Sequence, residues 1–412
     1  MNQPILTLQK FYYQMNRSRD IRLRITQTWL CAQEIDSADI SELTRILLQL
    51  EAIPRSDKTY KLYLDETRMI DVDLTYEIDE LKKDLFFLAH SMEEFEQYLM
   101  TFCPTFQSEV TELVHTLQGI SFHTFITDRD GTVNNYCGRY ASSIQSIYNA
   151  VFLCQYAKTN VNHAVILTSA PLKDIGLMDI SVSPPGYYIY AASKGREYVD
   201  TTNAEHHFPI HPDQAHKIEE LNQRLNILLK RPEYEAYTLI GSGLQFKFGQ
   251  TTVARQDISE SIDPRESLVF KQMIENLVRE IDPQGQYFRL EDTGKDIEII
   301  LTIQDDTQKK GVKDFDKGDA IHFLDQDIPL YLSQGPALVC GDTASDLPMM
   351  VATQSLTNET WGVLVTTDAD LISRAKKQCN NMIFVSSPDI LVTALYQLSN
   401  LSSESLKKYK AG

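Results

Sequence analysis

The chain has 412 residues, 42% hydrophobic and 23% charged, a balance that fits a soluble globular protein with two or three cores. Its net charge of −18 excludes a general nucleic-acid binder, and any site for an anionic substrate must gather cations locally. The six cysteines show no Cys-x-x-Cys spacing, there is no signal-peptide core, and no apolar stretch approaches the roughly 18 residues of a membrane span, so a cytoplasmic protein with reduced thiols is expected.

Residues 1–118 read as helix throughout. Ile21, Leu23, Ile25, Trp29 and Leu30 begin one apolar stripe, Leu43, Ile46, Leu47 and Leu50 a second, and Leu81, Leu85, Leu88 and Met92 a third. Pro104 sets off a last short helix over 107–117. Short amphipathic helices of this kind fit a small antiparallel bundle. No residue in this part carries catalytic chemistry, so its expected role is a stabilising appendage or a module for a protein partner or self-association.

An apolar strand over 122–127 then ends in Asp128 and Asp130. Side chains two apart on a strand share a side, so the two carboxyls can converge. Carboxylates held that close repel unless a cation, a proton or a reaction intermediate uses them. The pair suits an aspartyl nucleophile with a second carboxyl as general acid and base. A calcium loop would need Glu at its twelfth position, which counted from Asp128 is Arg139. A glycosyltransferase could use the same pair, but would not need the residues that follow.

A helix over 142–157 leads to a strand over 165–168, whose last residue, Thr168, can donate to a phosphoryl oxygen. Residues 171–313 form an insertion with its own pattern. A helix over 212–229 precedes strands at 236–241 and 244–253, and a helix over 261–281 precedes strands at 287–292 and 296–303. Helix-strand-strand, written twice, makes a four-stranded sheet backed by two helices, placed to act as a lid. Lys317 then offers a fixed positive charge. A buried strand over 337–340 runs into Gly341 and Asp342, with Asp346 four residues on, and strands at 362–365 and 382–385 follow. Apolar strands alternating with helices imply a parallel sheet covered on both faces, with ligands beyond the carboxyl ends. Hard oxygen donors of this kind suit Mg²⁺.

With all four motifs in order, the chain resembles the haloacid dehalogenase superfamily of phosphotransferases. The resemblance implies an α/β fold: a Rossmann-like parallel-sheet core in 119–170 and 314–412, an inserted α/β (αββαββ) cap in 171–313, and an N-terminal all-α helical bundle in 1–118. It also implies roles. Asp128 attacks phosphorus, and Asp130 protonates the leaving alcohol and then activates water. Thr168 and Lys317 hold the phosphoryl group, while Asp342 binds Mg²⁺ with Asp128 and the Asp130 carbonyl, and Asp346 ligates directly or through water.

The cap resembles that of the trehalose-6-phosphate phosphatase branch, through Ser193-Lys-Gly-Arg-Glu197, Gln245-Phe-Lys247 and Asp296-Ile-Glu298. By that resemblance Lys247 and Glu298 grip sugar hydroxyls. Arg139 lies just past the nucleophile, within reach of phosphate or sugar, and Lys194 and Arg196 add positive potential. Departures fall at Gln245, where the family has Glu, at Gln250 and Ala254, where it has Ser and His, and at Ile300, where it has Arg. The run from Thr127 to Tyr140 looks closer to the roundworm type, which also carries a helical N-terminal domain. The implied activity is a Mg²⁺-dependent phosphomonoesterase acting on trehalose 6-phosphate through an aspartyl-phosphate. A phosphatase for another sugar phosphate is the alternative, followed by a catalytically silent scaffold.

Overall fold

The computed structural model describes residues 5–56, 59–65, 67–305 and 311–411. The chain opens with α1 (Leu8–Leu30) and α2 (Ser37–Glu51), capped by Thr7 and Asp36, whose side chains accept from the Lys10 and Ala38 amides. Next come β1 (Arg55–Ser56), β2 (Thr59–Tyr63) and β3 (Met69–Val72), a three-stranded antiparallel sheet. Here the expectation of helix throughout 1–118 is corrected. Tyr60, Leu62, Ile70 and Val72 are buried at every second position, but runs of four or five residues are too short for that period to outweigh the helical stripes around them. Helices α3 (Thr75–Ala89), α4 (Met92–Met100) and α5 (Phe106–Leu117) complete this part.

The central sheet is built from β4 (Thr124–Thr127), β5 (His163–Leu167), β6 (Ile189–Ala192), β7 (Glu197–Val199) and β8 (Glu205–His207), and from three strands late in the chain. Between them lie α6 (Ile147–Asn160) and the short α7 (Leu177–Ile180). Three strands of this sheet, β6 to β8, belong to the stretch expected as cap. The correction has a simple cause: β6 continues the parallel ladder on β5, and β7 and β8 add to its edge antiparallel, so 189–207 extend the core.

Helices α8 (Pro212–Leu229) and α9 (Ala236–Leu239) lead into β9 (Leu244–Lys247) and β10 (Gln250–Ala254). After α10 (Pro264–Ile281) come β11 (Phe288–Asp292) and β12 (Asp296–Leu301). These four strands form one antiparallel sheet in the order β11-β12-β10-β9. The strand expected at 236–241 is a helical turn, and the long strand expected at 244–253 is a hairpin folded at Gly249, which has φ +75°. The αββ pattern survives because each slip stays within its own unit. Beyond it, β13 (Ile303–Asp305) pairs with β14 (Gly311–Lys313), and residues 306–310 of the loop between them lie outside the described residues.

The core then resumes with α11 (Lys317–Asp327), β15 (Ala337–Gly341), α12 (Leu347–Leu356), β16 (Thr360–Val365), α13 (Ala369–Gln378), β17 (Met382–Val385) and α14 (Pro388–Ala411). The full sheet order is β17-β16-β15-β4-β5-β6-β7-β8, parallel as far as β6. Alternate residues face opposite layers. Ile126, Val165 and Val339 meet α11 and α12 through Leu324 and Met350, while Phe125, Ile166 and Leu338 face Phe152 of α6 and Leu391 of α14. In the register, Thr127 sits beside both Ile166 and Cys340, so the chain leaves β4, β5 and β15 at one level. That level carries the site.

Candidate active site

Asp128, Thr168 and Asp342 follow the carboxyl ends of β4, β5 and β15, each a short, mostly apolar strand. Lys317 is the first residue of α11, whose N-terminus is capped by Asp316 through the amides of Gly318 and Asp319. Its Nζ lies 2.6 Å from Asp128 Oδ1 and 2.6 Å from Asp346 Oδ1. The second oxygen of Asp346 accepts from the amides of Asp342 and Thr343 at 3.0 and 2.9 Å.

Asp128, Asp342 and Asp346 each place a carboxylate oxygen within 4.8 Å of the others. Burial pushes the Asp128 carboxyl well above its usual range, helped by Asp346 and Asp130 and only partly opposed by Lys317. Asp342 is raised in the same way, by burial and by Asp128 and Asp346. Burial also works against Asp346, yet Lys317 and the two amides hold it below the carboxylate range, and Lys317 stays charged between its two partners. With all three carboxyls ionised, one ammonium leaves two negative charges uncompensated, which is why Asp128 and Asp342 hold protons so readily and which a divalent cation would balance. The donors are all hard oxygens, as Mg²⁺ prefers. Space at the cluster is tight: a Cβ on Gly131, at φ +85°, would stand 2.2 Å from Asp342 Oδ2.

Asp130 is fixed by one oxygen. Its Oδ1 accepts from Ser143 Oγ at 2.9 Å and from Arg129 Nη1. Thr168 Oγ1 accepts from the Ala170 amide at 3.3 Å, which leaves its hydroxyl hydrogen for a ligand.

These groups form the floor of a cavity of about 330 Å³. Its roof comes from the four-stranded sheet of 244–301 and the turns beside it: Ser242, Gln245, Lys247, Lys295 and Asp296. Register explains the selection. Gln245, Thr252 and Glu298 are paired across β9, β10 and β12, as are Lys247, Gln250 and Ile300, and all share one face with Asp296 and Ala254. The opposite face, with Val253, Ile297 and Ile299, is apolar and buried. On the cavity-side face, Gln250 Nε2, Thr252 Oγ1 and Asp296 Oδ1 are buried without a hydrogen-bond partner. Of these residues Asp296 lines the cavity, where its unmet oxygen is open to a polar ligand. Burial lowers Lys247 to about 8, with Glu298 pulling the other way. Every position noted as a departure, Gln245, Gln250, Ala254 and Ile300, lies on this face.

The structure therefore brings Asp128, Asp130, Thr168, Lys317, Asp342 and Lys247 to one cavity, with Asp346 behind Lys317 and Glu298 beside Lys247. Four expected substrate contacts, Glu298, Arg139, Arg196 and Lys194, are not among the lining residues. Arg139 is buried and donates to the Asp73 carbonyl at 3.0 Å. Arg196 donates to the carbonyls of Gly249 and Leu301, both at 2.8 Å, tying core to cap. Lys194 sits in the turn after β6, its amide bonded to the Thr168 carbonyl at 2.8 Å. Ser242, Lys295 and Asp296 were missed as lining residues; the period-2 pattern of β12 alone could have flagged Asp296, since its polar positions share a face with Glu298.

Comparison with known proteins bears on this site directly. The family described as "Trehalose-6-phosphate phosphatase, C-terminal" matches residues 125–391, and "Trehalose-6-phosphate phosphatase N-terminal helical bundle domain" matches 7–106. An alpha,alpha-trehalose-phosphate synthase (UDP-forming) 1 of Aphelenchoides avenae is 32% identical over 418 residues, which are 95% of this chain and 36% of that protein. The chain thus spans about a third of the length of such relatives. A trehalose-phosphatase of Caenorhabditis briggsae is 25% identical over 431 residues, 96% of this chain and 97% of that one. A solved structure of Aspergillus fumigatus trehalose-6-phosphate phosphatase is similar at 14% identity over 71% of this chain and 97% of that chain, with a TM-score of 0.40. With one family description spanning the cavity's residues and a second the helical part before them, the chain belongs to the trehalose-6-phosphate phosphatase family.

Proposed function

We propose that the protein is a Mg²⁺-dependent phosphomonoesterase that hydrolyses trehalose 6-phosphate to trehalose and phosphate. The observation that carries this reading is the single cavity in which Asp128, Asp130, Thr168, Lys317 and Asp342 face a polar cap surface that includes the unmet oxygen of Asp296. Family membership supports the same substrate class.

In this reading an oxygen of Asp128 attacks phosphorus in line with the ester oxygen. The P–O bond to the sugar breaks, and Asp130 gives its proton to the departing alkoxide, leaving trehalose and an aspartyl-phosphate. Asp130, now a carboxylate, takes a proton from the water that attacks the same phosphorus, which frees phosphate and restores Asp128. Lys317 and the Thr168 hydroxyl hold the phosphoryl oxygens. Asp128, Asp342, the Asp130 carbonyl and, directly or through water, Asp346 would hold Mg²⁺, which supplies positive charge to the transferring group. The cap face with Lys247, Gln245 and Asp296 takes the sugar, with Glu298 holding Lys247 charged.

The working parts proposed here are a helical part over 1–118, a core over 119–207 and 314–412, and a cap between them. Among the described residues no helix is long and apolar enough to cross a membrane. We place the enzyme in the cytoplasm, a placement supported by six free cysteines. A protein partner or a second copy would meet the helical part, where Tyr13 and Leu48 stand exposed.

Phosphate release from trehalose 6-phosphate, sucrose 6-phosphate and glucose 6-phosphate, with Mg²⁺ and with EDTA, tests the reading. Preference for trehalose 6-phosphate, abolished by EDTA and restored by Mg²⁺, is the expected result. Preference for another ester would keep the chemistry and replace the substrate. Silence on all three would overturn the reading.

A further inference from the structure

Helix α3, in the part of the chain that carries no catalytic motif, lies directly against the loop that follows the nucleophile. Tyr76, Glu77, Glu80, Lys83 and Asp84 occupy one helical face. Glu77 accepts from Ser142 Oγ at 2.6 Å, and Asp84 accepts from the Ile147 amide at 2.6 Å. Asn135 Nδ2 donates to Glu80 and to Asp389 at 3.0 and 2.8 Å, and Lys83 pairs with both carboxylates at 2.8 Å. Four ionisable side chains on this face are buried. Apolar side chains would stabilise such a contact as well, without the desolvation cost. What the polar face adds is direction.

One line of these bonds reaches the catalytic carboxyl. Tyr76 Oη donates to the Ile144 carbonyl at 2.7 Å and accepts from Asn134 Nδ2 at 3.0 Å. The same amide lies 3.3 Å from Ser143 Oγ, and Ser143 Oγ donates to Asp130 Oδ1 at 2.9 Å. The Asn134 carbonyl also accepts from the Gly131 amide at 2.7 Å, so Asn134 grips the turn that carries Asp130. With Oδ1 engaged by Ser143 and Arg129, the other carboxyl oxygen is the one left for the substrate.

We propose that Tyr76 is a positioning residue for the acid–base step, acting on Asp130 through Asn134 and Ser143, so that the N-terminal helical part completes the active site. The proposal rests on the phosphatase reading. It predicts a signature tied to proton donation: an alkoxide leaving group needs the proton of Asp130, whereas p-nitrophenolate leaves readily without it.

The test compares kcat and KM of wild type, Tyr76→Phe, Ser143→Ala and the double variant. The substrates are p-nitrophenyl phosphate and whichever of trehalose 6-phosphate, sucrose 6-phosphate and glucose 6-phosphate wild type turns over best. Tyr76→Phe is expected to lower kcat/KM on the sugar ester, which covers the steps up to loss of the leaving group, about tenfold to a hundredfold, the scale of a small misplacement of a reacting group. On the aryl ester kcat/KM should be nearly unaffected, since that ratio excludes the water step that Asp130 serves for both esters. Ser143→Ala should show the same pattern, and the double variant should lose no more than the larger single loss. Both rates come from one preparation, so their ratio does not depend on the fraction folded. Equal loss of kcat/KM on both esters, no loss on either, or losses that multiply in the double variant would overturn the proposal. A wild-type chain inactive on every ester would overturn the phosphatase reading itself, and this proposal with it.

Discussion

Asp128 sits between an ammonium 2.6 Å away and two further carboxylates, and that crowding defines its chemistry. Asp128→Asn keeps the shape and replaces an oxygen of the proposed nucleophile, so phosphate release should fall by at least about a thousandfold in a malachite-green assay. Lys247 offers a separate handle. Burial lowers it to about 8, so it is charged below that pH and neutral above it. As pH rises through about 8, KM for a sugar phosphate should rise, and Lys247→Met should flatten that rise while raising KM at neutral pH; a profile unchanged by the substitution would remove Lys247 from substrate binding. The strand-end motifs were legible because each pairs an abrupt apolar-to-polar step with residues that do little alone. Arg139 and Arg196 were misread for the converse reason. Both cations sit near motif residues in an acidic chain, yet sequence proximity does not reveal that their guanidinium groups reach the carbonyls of Asp73, Gly249 and Leu301.

Elements meet the site through their register. On the cap sheet a shift of one residue would turn Lys247 and Asp296 away from the cavity and bring Ile297 and Ile299 into it. Arg196 holds that sheet to the core by the hairpin turn and the end of β12, and a Cβ on Gly249 would stand 2.1 Å from its Nη1. Arg196→Met leaves the Leu301 carbonyl without this donor, while Gly249 keeps the Leu301 amide at 2.9 Å, a loss of about 1–3 kcal/mol. Urea unfolding should show that loss, and KM for the sugar phosphate should rise because the roof of the cavity is no longer held. The repeated αββ order was readable from its two long amphipathic helices. The helical turn at α9 and the hairpin at Gly249 were not, since short apolar runs carry no period that separates helix from strand.

Across the whole molecule, buried charge on α3 joins the helical part to the core, where Lys83 pairs with Asp389 at 2.8 Å and Asp84 accepts from the Ile147 amide at 2.6 Å, and α1 braces that face. Arg22 Nε lies 2.6 Å from Asp84 Oδ2, both side chains are buried, and burial raises Asp84 to about 7 despite the arginine. Arg22→Met strands that carboxylate, and should cost about 3–5 kcal/mol near pH 8. The sign with pH follows from the raised value. A buried carboxyl that titrates above its unfolded value binds protons more readily when folded, so the variant's deficit should shrink as pH falls from about 8 to about 5. Denaturant melts at the two pH values check it; a deficit independent of pH would show that Asp84 does not carry the charge.

Composition, the order of four motifs and the placement of an αββαββ insertion were all readable along the chain, because each depends on residues close in sequence and on two simple periodicities. That is enough for an α/β core with a cap and for the candidate residues that the fold gathers at one cavity. Long-range geometry supplied the rest: strands β6 to β8 joining the core sheet, Arg196 pinning the cap, and α3 reaching the loop beside Asp130. Each of those depends on a contact between segments distant in the chain, where the partner of a donor or a sheet edge is set by folding and not by its sequence neighbours.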